Sequence, residues 1–240
     1  MLHQHDVVGK NDAMATKYPY SDLTKLTAHF YEPMYAAFDQ QMAAALLRRD
    51  AFLDKVIAIE IPYLREDLKG NRQSDKAYRH ISRELKKLGG QKAPPLKQVS
   101  LSIRHTTAEA LRGAVEEHNL VRDAFLNLLI TLLRSSDAIL DALDLPKRVG
   151  SVRGTEDMPT SSLRAIEEAQ SDPLYYLRAG CEARHGCGIY KLPLPTAIQA
   201  FSCYLADDQV PGTPAYKERL ETEHLILSVD LGARQVVTGV

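Results

Sequence analysis

Four side chains in the C-terminal third of the chain could do metal or thiol chemistry. Cys181, His185 and Cys187 lie close together in "CEARHGC", and Cys203 follows them. Four nitrogen and sulfur donors could hold a structural Zn²⁺, and a cysteine beside a histidine could act as a nucleophile. The C-x3-H-x-C spacing is not a common zinc pattern, however, and no orienting acid or oxyanion site is recognisable nearby. We therefore expect no enzyme, no metal and no cofactor, and interpret these cysteines as buried or partly buried thiols.

The second pattern is a strict alternation in "LKQVSLSIR" at 96–104. One face carries Val99, Leu101 and Ile103, and the other face carries Gln98, Ser100 and Ser102. A period of two predicts a strand with one buried face and one face in water. A single strand cannot satisfy its own backbone groups, and the neighbouring sequence reads as helix. We therefore expect its partner to be the same strand of a second copy of the chain.

Two helices should follow this strand. The first is predicted to begin near Thr106 or Thr107, where a hydroxyl can cap it, and to end at Asn119, which tolerates a left-handed conformation. The second should run from about Arg122 to Asp137, and its nearly continuous apolar surface is typical of a helix buried all round. A unit of about 45 residues cannot bury such a helix alone, so an intimate dimer is expected. The predicted dimer core is Val99, Leu101, Ile103, Leu111, Val115, Phe125, Leu126, Leu129 and Ile130.

This succession over about 97–140 resembles the ribbon-helix-helix (MetJ/Arc/CopG-like) superfamily of DNA-binding proteins. In that family the strands of two chains pair into an antiparallel ribbon, which enters the major groove. The resemblance implies that Gln98, Ser100 and Ser102 face base edges, where Gln can bond adenine and Ser can donate or accept. It also implies that the second helix meets a phosphate with its first N–H groups, at Val121 and Arg122.

Two features depart from the family, which usually has Gly in the turn and Ser or Thr as the cap of the second helix. Asn119 and Val121 occupy these positions instead, and Asp123 is unfavourable near a phosphate unless it caps the helix.

The basic stretch from 65 to 104 has eleven Lys and Arg against four acids, a net charge of +7, which indicates an anion-binding face. The candidate phosphate contacts are Lys86, Lys87, Lys97, Arg104, His105, Val121 and Arg122.

The sequence is interpreted as a mainly α protein with a ribbon-helix-helix core, one strand and two helices per chain, and a mixed α/β C-terminal segment. In that segment, helices are predicted over 161–170 and 214–223, and strands over 201–206 and 224–240. Before the core, an amphipathic helix is predicted between Ser74 and Gly89, with an apolar stripe of Ala77, Ile81, Leu85 and Leu88. The predicted parts are a flexible arm (1–20), a helical extension with a basic face (21–95), a DNA-binding and dimerisation unit (96–145) and a C-terminal segment of unknown role (146–240). We recognise no internal repeat. Three cysteines and no membrane-spanning apolar run favour a cytoplasmic protein that does not bind membranes.

The resemblance implies a homodimer, or a higher oligomer on DNA, that binds double-stranded DNA and regulates transcription. A narrower resemblance, which rests on the large flanks, is to transfer regulators of conjugative plasmids and integrative elements. The alternatives are a plasmid mobilisation or partition accessory protein and an antitoxin-like subunit that binds a protein through the C-terminal segment. A further alternative is an ordinary core of β-hairpin and helices within a larger domain.

Overall fold

The computed structural model describes residues 22–88, 96–145 and 171–222. Its described part is mainly helical and holds one two-stranded antiparallel sheet. No helix there is long and apolar enough to cross a membrane. In chain order the elements are β1 (Leu23–Tyr31), α1 (Glu32–Ala44), α2 (Arg49–Asp67), α3 (Asp75–Leu88), β2 (Leu96–Arg104), α4 (His105–His118), α5 (Arg122–Leu133), α6 (Asp137–Ala142), α7 (Tyr175–His185), 3-10 helices at Thr196–Phe201 and Asp207–Gln209, and α8 (214–222).

The partner of β2 lies in the same chain. β1 pairs with β2 over its whole length, from Leu23 opposite Arg104 to Tyr31 opposite Leu96. The predicted strand at 96–104 is confirmed, but the prediction of one strand per chain and a ribbon formed across a dimer is wrong. The segment 21–95, predicted as a helical extension, contains β1. Sequence reasoning missed this strand because α1 begins at Glu32 directly after it. No turn residues separate the strand from the helix-forming residues that follow.

The elements after β2 largely follow the sequence prediction. α4 ends at His118, and its C-cap residue Asn119 has a φ of 55° and therefore the left-handed conformation expected of a helix stop. The cap of α4 is Arg104 rather than a threonine, and Thr107 is buried. α5 begins at Arg122 as predicted but ends at Leu133, and α6 begins separately at Asp137, with Ser136 as its cap.

One hydrophobic core lies beneath the apolar face of the sheet. Every predicted dimer-core residue is buried in it except Val115, which is half-buried. The partner surface expected from a second chain comes instead from the N-terminal elements, with Tyr35 and Phe38 of α1 and Val56 and Ile57 of α2. The nearly all-apolar α5, buried from Ala124 to Leu132, is therefore covered within a single chain.

Unfolding of this core should not depend on protein concentration, because both strands and the helices packed on them belong to one chain. A fold that required a second chain would gain stability with concentration by mass action. We expect the thermal midpoint measured by circular dichroism to stay constant over a roughly hundredfold dilution. A midpoint that falls on dilution would show that a second copy completes the fold.

The C-terminal segment differs from its prediction. The residues 201–206, predicted as a strand, end a 3-10 helix and continue without a strand. Within this segment the Leu205 N–H donates to a side chain, Gln73 Oε1, at 3.1 Å rather than to a neighbouring strand. The helix predicted around 214–223 is confirmed over 214–222. The predicted arm at 1–20, helix at 161–170 and strand at 224–240 lie outside the described residues.

Candidate nucleic-acid interface

The outward face of the two-stranded ribbon is polar over its three central cross-strand pairs, between Leu23 at one end and the Tyr31–Leu96 pair at the other. Three cross-strand pairs form it: Lys25 opposite Ser102, Thr27 opposite Ser100, and His29 opposite Gln98. The central hydroxyls, Thr27 Oγ1 and Ser100 Oγ, are 3.1 Å apart. The structure thus brings the three predicted base-contact residues of β2 together and adds three from β1 that sequence reasoning missed. The alternation of Leu26, Ala28 and Phe30 with polar residues was the signal that could have found them.

Side chains of α2 accept hydrogen bonds from backbone N–H groups on the outer edge of β2. The Ser102 N–H donates to Asp50 Oδ2 at 2.9 Å, and the Arg104 N–H donates to Asp54 Oδ1 at 3.0 Å. Both carboxylates lie on α2, near its N-terminus. Open strand edges invite pairing with other chains, so these bonds both close the edge and fix the ribbon on the helix.

The outer edge of β1 is closed in the same way by α5. The His29 N–H donates to Asp123 Oδ2 at 3.1 Å, and the Tyr31 N–H donates to Asn127 Oδ1 at 2.9 Å. Asn127 Nδ2 also donates to the His29 carbonyl at 2.9 Å. We expected Asp123 to be unfavourable beside a phosphate. In the structure it binds the edge of β1 instead and so has a structural role.

The two edges are equivalent because the chain contains an internal repeat. A shift of 73 residues carries Thr27 to Ser100, and it also carries Asp50 to Asp123 and Asp54 to Asn127. The sequence "RDAFL" occurs at both 49–53 and 122–126. The shift also relates the left-handed turn residues Leu46 (φ 58°) and Asn119 (φ 55°). The expectation of no repeat is therefore wrong: strand, helix and helix occur twice, as β1–α1–α2 and β2–α4–α5.

The N-termini of α2 and α5 flank the ribbon. Their cap residues, Arg48 and Val121, contribute no side-chain hydrogen bond to the first turn. First-turn N–H groups and the positive end of the helix dipole suit an anion. Val121 is buried, so only its backbone is available there. Arg122, predicted as a phosphate contact, donates instead to the Thr27 carbonyl at 2.7 Å and to Asp123 Oδ1 at 2.9 Å.

The remaining predicted phosphate contacts are spread around the ribbon. Lys97 and His105 are exposed at the two ends of β2, and Arg104 Nε donates to Asp54 Oδ2 at 2.6 Å with its side chain half exposed. Lys86 and Lys87 are exposed on α3, where Lys87 pairs with Glu84 at 2.7 Å. The structure brings Lys86 near the ribbon but does not gather all these cations in one place.

A cavity of about 820 Å³ separates α3 from β1 and α4. Lys25, His29 and Lys86 line it together with Arg112 and Arg122, and three acids also contribute, Glu109, Glu116 and Asp123. Its charge is therefore mixed. The outer surface of α3 is more strongly basic, with exposed Lys76, Arg79, Arg83, Lys86 and Lys87. This surface confirms the predicted amphipathic helix, in which Ala77, Ile81 and Leu85 are buried.

The cysteine cluster has a packing role. Cys181 is buried, and its thiol donates to the Cys187 carbonyl at 3.4 Å. Burial raises the pKa of the Cys181 thiol to about 12 and also raises the pKa of Cys203, which makes both poor nucleophiles. His185 Nε2 lies 3.0 Å from the Leu143 carbonyl. Within 22–88, 96–145 and 171–222, no group of three His, Cys, Asp or Glu side chains could hold a metal ion.

A buried ionic cluster joins α2 to the C-terminal segment. Glu60 is fully buried, accepts a hydrogen bond from Tyr190 Oη at 2.7 Å and forms an ion pair with Arg178. Arg178 also pairs with Asp172 at 2.5 Å, and its guanidinium lies 3.7 Å from the centre of the Tyr63 ring. Sequence reasoning missed this cluster because its members are far apart in the chain. Arg178 bridges the carboxylates of Glu60 and Asp172, which indicates a structural joint between α2 and the C-terminal segment.

Comparisons with models of known protein families, with curated proteins and with solved structures found no match to this chain. We therefore infer its function from the ribbon, its supporting helices and the charges beside them.

Proposed function

We propose that this protein binds double-stranded DNA sequence-specifically by placing the polar face of its β1–β2 ribbon in the major groove. The observation that carries the proposal is the six-residue polar face, formed by Lys25, Thr27, His29, Gln98, Ser100 and Ser102. The opposite face of the same ribbon is buried in the core. A two-stranded β-ribbon fits the B-DNA major groove, where each base pair presents a distinct pattern of donors and acceptors.

The chemistry of the ribbon face suits base recognition. Lys25 can donate to guanine O6 and N7, Gln98 can bond adenine through N6 and N7, and the hydroxyls of Thr27 and Ser100 can donate or accept. Both outer edges of the ribbon are bonded to helices, so little conformational freedom is lost when DNA binds. The repeated strand–helix–helix unit supports a ribbon-helix-helix core in which one chain supplies both halves.

Phosphate contacts would come from the surroundings of the ribbon. The N-termini of α2 and α5 lie on either side of it, at Arg48 and Val121. The exposed cations of α3 lie beyond the cavity next to β1. Such contacts position a protein on the duplex and make binding depend on salt, while base contacts provide specificity. With the family resemblance, this arrangement supports a cytoplasmic transcriptional regulator, and the large flanks favour genes of a plasmid or other mobile element.

The test is selection of bound duplexes from random DNA over a series of salt concentrations. We compare the unaltered protein with the triple variant Gln98→Ala/Ser100→Ala/Ser102→Ala. A few sites should be enriched by the unaltered protein, and the variant should bind them at least about tenfold more weakly because base contacts are lost. Non-specific binding and its salt dependence should remain, since phosphate contacts are retained.

The matched control is Gln40→Ala, which removes an exposed glutamine from α1, outside the ribbon. It should leave the enriched sites and their affinities unchanged, and circular dichroism should show that all variants are folded. If the folded, unaltered protein enriches no site at any salt concentration, the proposal is wrong. The strand–helix–helix units would then be a scaffold for binding another protein.

A further inference from the structure

We infer that one chain occupies one DNA site and that this site is not a palindrome. The inference rests on the proposed function, since it assigns the kind of sequence that the ribbon reads. In a symmetric dimer of this design, both ends of the ribbon are identical, so the protein's twofold axis requires a palindromic operator. Here both strands come from one chain, and nothing requires the two ends to be alike.

The hydrogen bonds that join the two edges of the ribbon to α2 and α5 are nearly symmetric. Asp50 and Asp123 accept the N–H groups of Ser102 and His29, which are equivalent positions of the two strands under the repeat. Asp54 and Asn127 do the same for Arg104 and Tyr31. The two ends of the ribbon are therefore held at equivalent places relative to α2 and α5, and each would meet its own half of the DNA site.

The side chains at the two ends differ. One end carries Lys25 and Ser102, and the other carries Gln98 and His29 in the corresponding places. Only the centre is alike, where Thr27 and Ser100 form a hydroxyl pair.

These differences select different bases. Lysine only donates hydrogen bonds, which suits guanine O6 and N7, whereas glutamine both donates and accepts, which suits adenine N6 and N7. His29 is also held in place, with Nδ1 at 3.0 Å from Asp123 Oδ2, while its counterpart Ser102 is a short hydroxyl. We therefore assign a guanine-containing half-site to the Lys25 end and an adenine-containing half-site to the Gln98 end.

The surroundings of the ribbon reinforce the asymmetry. α3 lies between the two repeats in the chain and is not part of the repeated unit. In space it lies beside β1, where Lys86 lines the same cavity as Lys25 and His29. Its exposed cations can reach phosphates on the β1 side of the ribbon, which would favour one orientation of the chain on the duplex.

The first test uses the unaltered protein and three duplexes. One is the site obtained by selection, and the other two are palindromes built by duplicating each of its halves. We expect the selected duplex to bind about tenfold or more tightly than either palindrome, a loss typical of one or more mismatched base pairs. Sedimentation should show one chain of 26.8 kDa per duplex.

The second test makes the two ends of the ribbon alike. In the variant Lys25→Gln/Ser102→His, both ends present a glutamine and a histidine, so its preference should move to the palindrome of the Gln98 half-site. The matched control Lys25→Arg keeps the donor and should keep the preference for the selected duplex. If the double variant does not fold, the duplex comparison with the unaltered protein decides the question alone.

The outcomes separate the inference from the proposed function. A palindromic selected site, a palindrome bound as tightly as the selected duplex, or two chains on one duplex would each overturn the inference while sequence-specific DNA binding stood. Failure to select any site would overturn the proposed function itself. A non-palindromic site bound by one chain, with a changed preference in the double variant, is the result we expect.

Discussion

Replacing Arg178 by alanine should lower the free energy of unfolding by about 3–5 kcal/mol, the range seen when one partner of a buried ion pair is removed. Glu60 is fully buried, and the side chain of Arg178 is 11% exposed. Without the guanidinium, the Glu60 carboxylate would keep the hydroxyl of Tyr190 but no counter-charge. Urea unfolding followed by circular dichroism measures the loss.

The matched control is Arg184→Ala, which removes an arginine of the same helix from a surface ion pair. Arg184 and Asp144 are 2.5 Å apart, but their side chains are 60% and 59% exposed. Exposed pairs contribute little, so this variant should lose far less stability than Arg178→Ala. Equal losses in the two variants would contradict the view that Arg178 neutralises a buried charge.

The loss in Arg178→Ala should also depend on pH. Burial raises the pKa of Glu60, while the bonds from Tyr190 and Arg178 lower it. Removing Arg178 therefore raises this pKa further. A carboxyl group whose pKa is raised by folding contributes stability below its unfolded pKa of about 4.3 and loses it as the pH rises through the folded pKa. The difference between variant and unaltered protein should be small near pH 4 and grow toward neutral pH, whereas a constant difference would contradict this explanation.

Local sequence patterns predicted β2, the left-handed stop at Asn119 and the start of α5, because strand alternation and turn preferences are properties of neighbouring residues. They also placed Gln98, Ser100 and Ser102 on one face, which the structure confirms. The same patterns could not show which strand pairs with β2. That choice depends on contacts such as Asp50 to Ser102, between residues that are distant in the chain.

The second half of the ribbon was hidden because the two repeats have diverged in side-chain volume. Tyr35 of α1 is fully buried, and its counterpart in α4, Ala108, is half-buried. Phe38 likewise corresponds to the smaller Leu111. Ala108 and Leu111 line the cavity beside α3, so the two repeats pack differently at these equivalent positions. The two "RDAFL" segments have stayed identical. Their Asp50 and Asp123 accept hydrogen bonds from the strand edges, and their Phe52 and Phe125 pack toward the core.

The repeat also supplies a matched pair of variants in which equivalent side chains are exchanged. Asn127→Asp should destabilise the protein by about 3 kcal/mol, since it places an unpaired charge in the core. Asn127 is fully buried, and its Nδ2 donates to the carbonyls of His29 at 2.9 Å and Asp123 at 2.7 Å. An aspartate would direct a carboxylate oxygen at these two carbonyls, with no cation bonded to it. Urea unfolding measures the loss, which should decrease at acidic pH as the new carboxyl group becomes protonated and can donate.

The reciprocal change, Asp54→Asn, should cost less than about 1 kcal/mol because it loses only a partly exposed ion pair. The amide oxygen can still accept the Arg104 N–H, which donates to Asp54 Oδ1 at 3.0 Å. The Arg104 side chain is 49% exposed, so water can solvate its guanidinium once the carboxylate is gone. Similar losses in the two variants would mean that burial and the missing cation do not distinguish these sites. A large loss only in Asn127→Asp would show that one ribbon edge tolerates a charge because Arg104 accompanies it, while the other edge requires an amide.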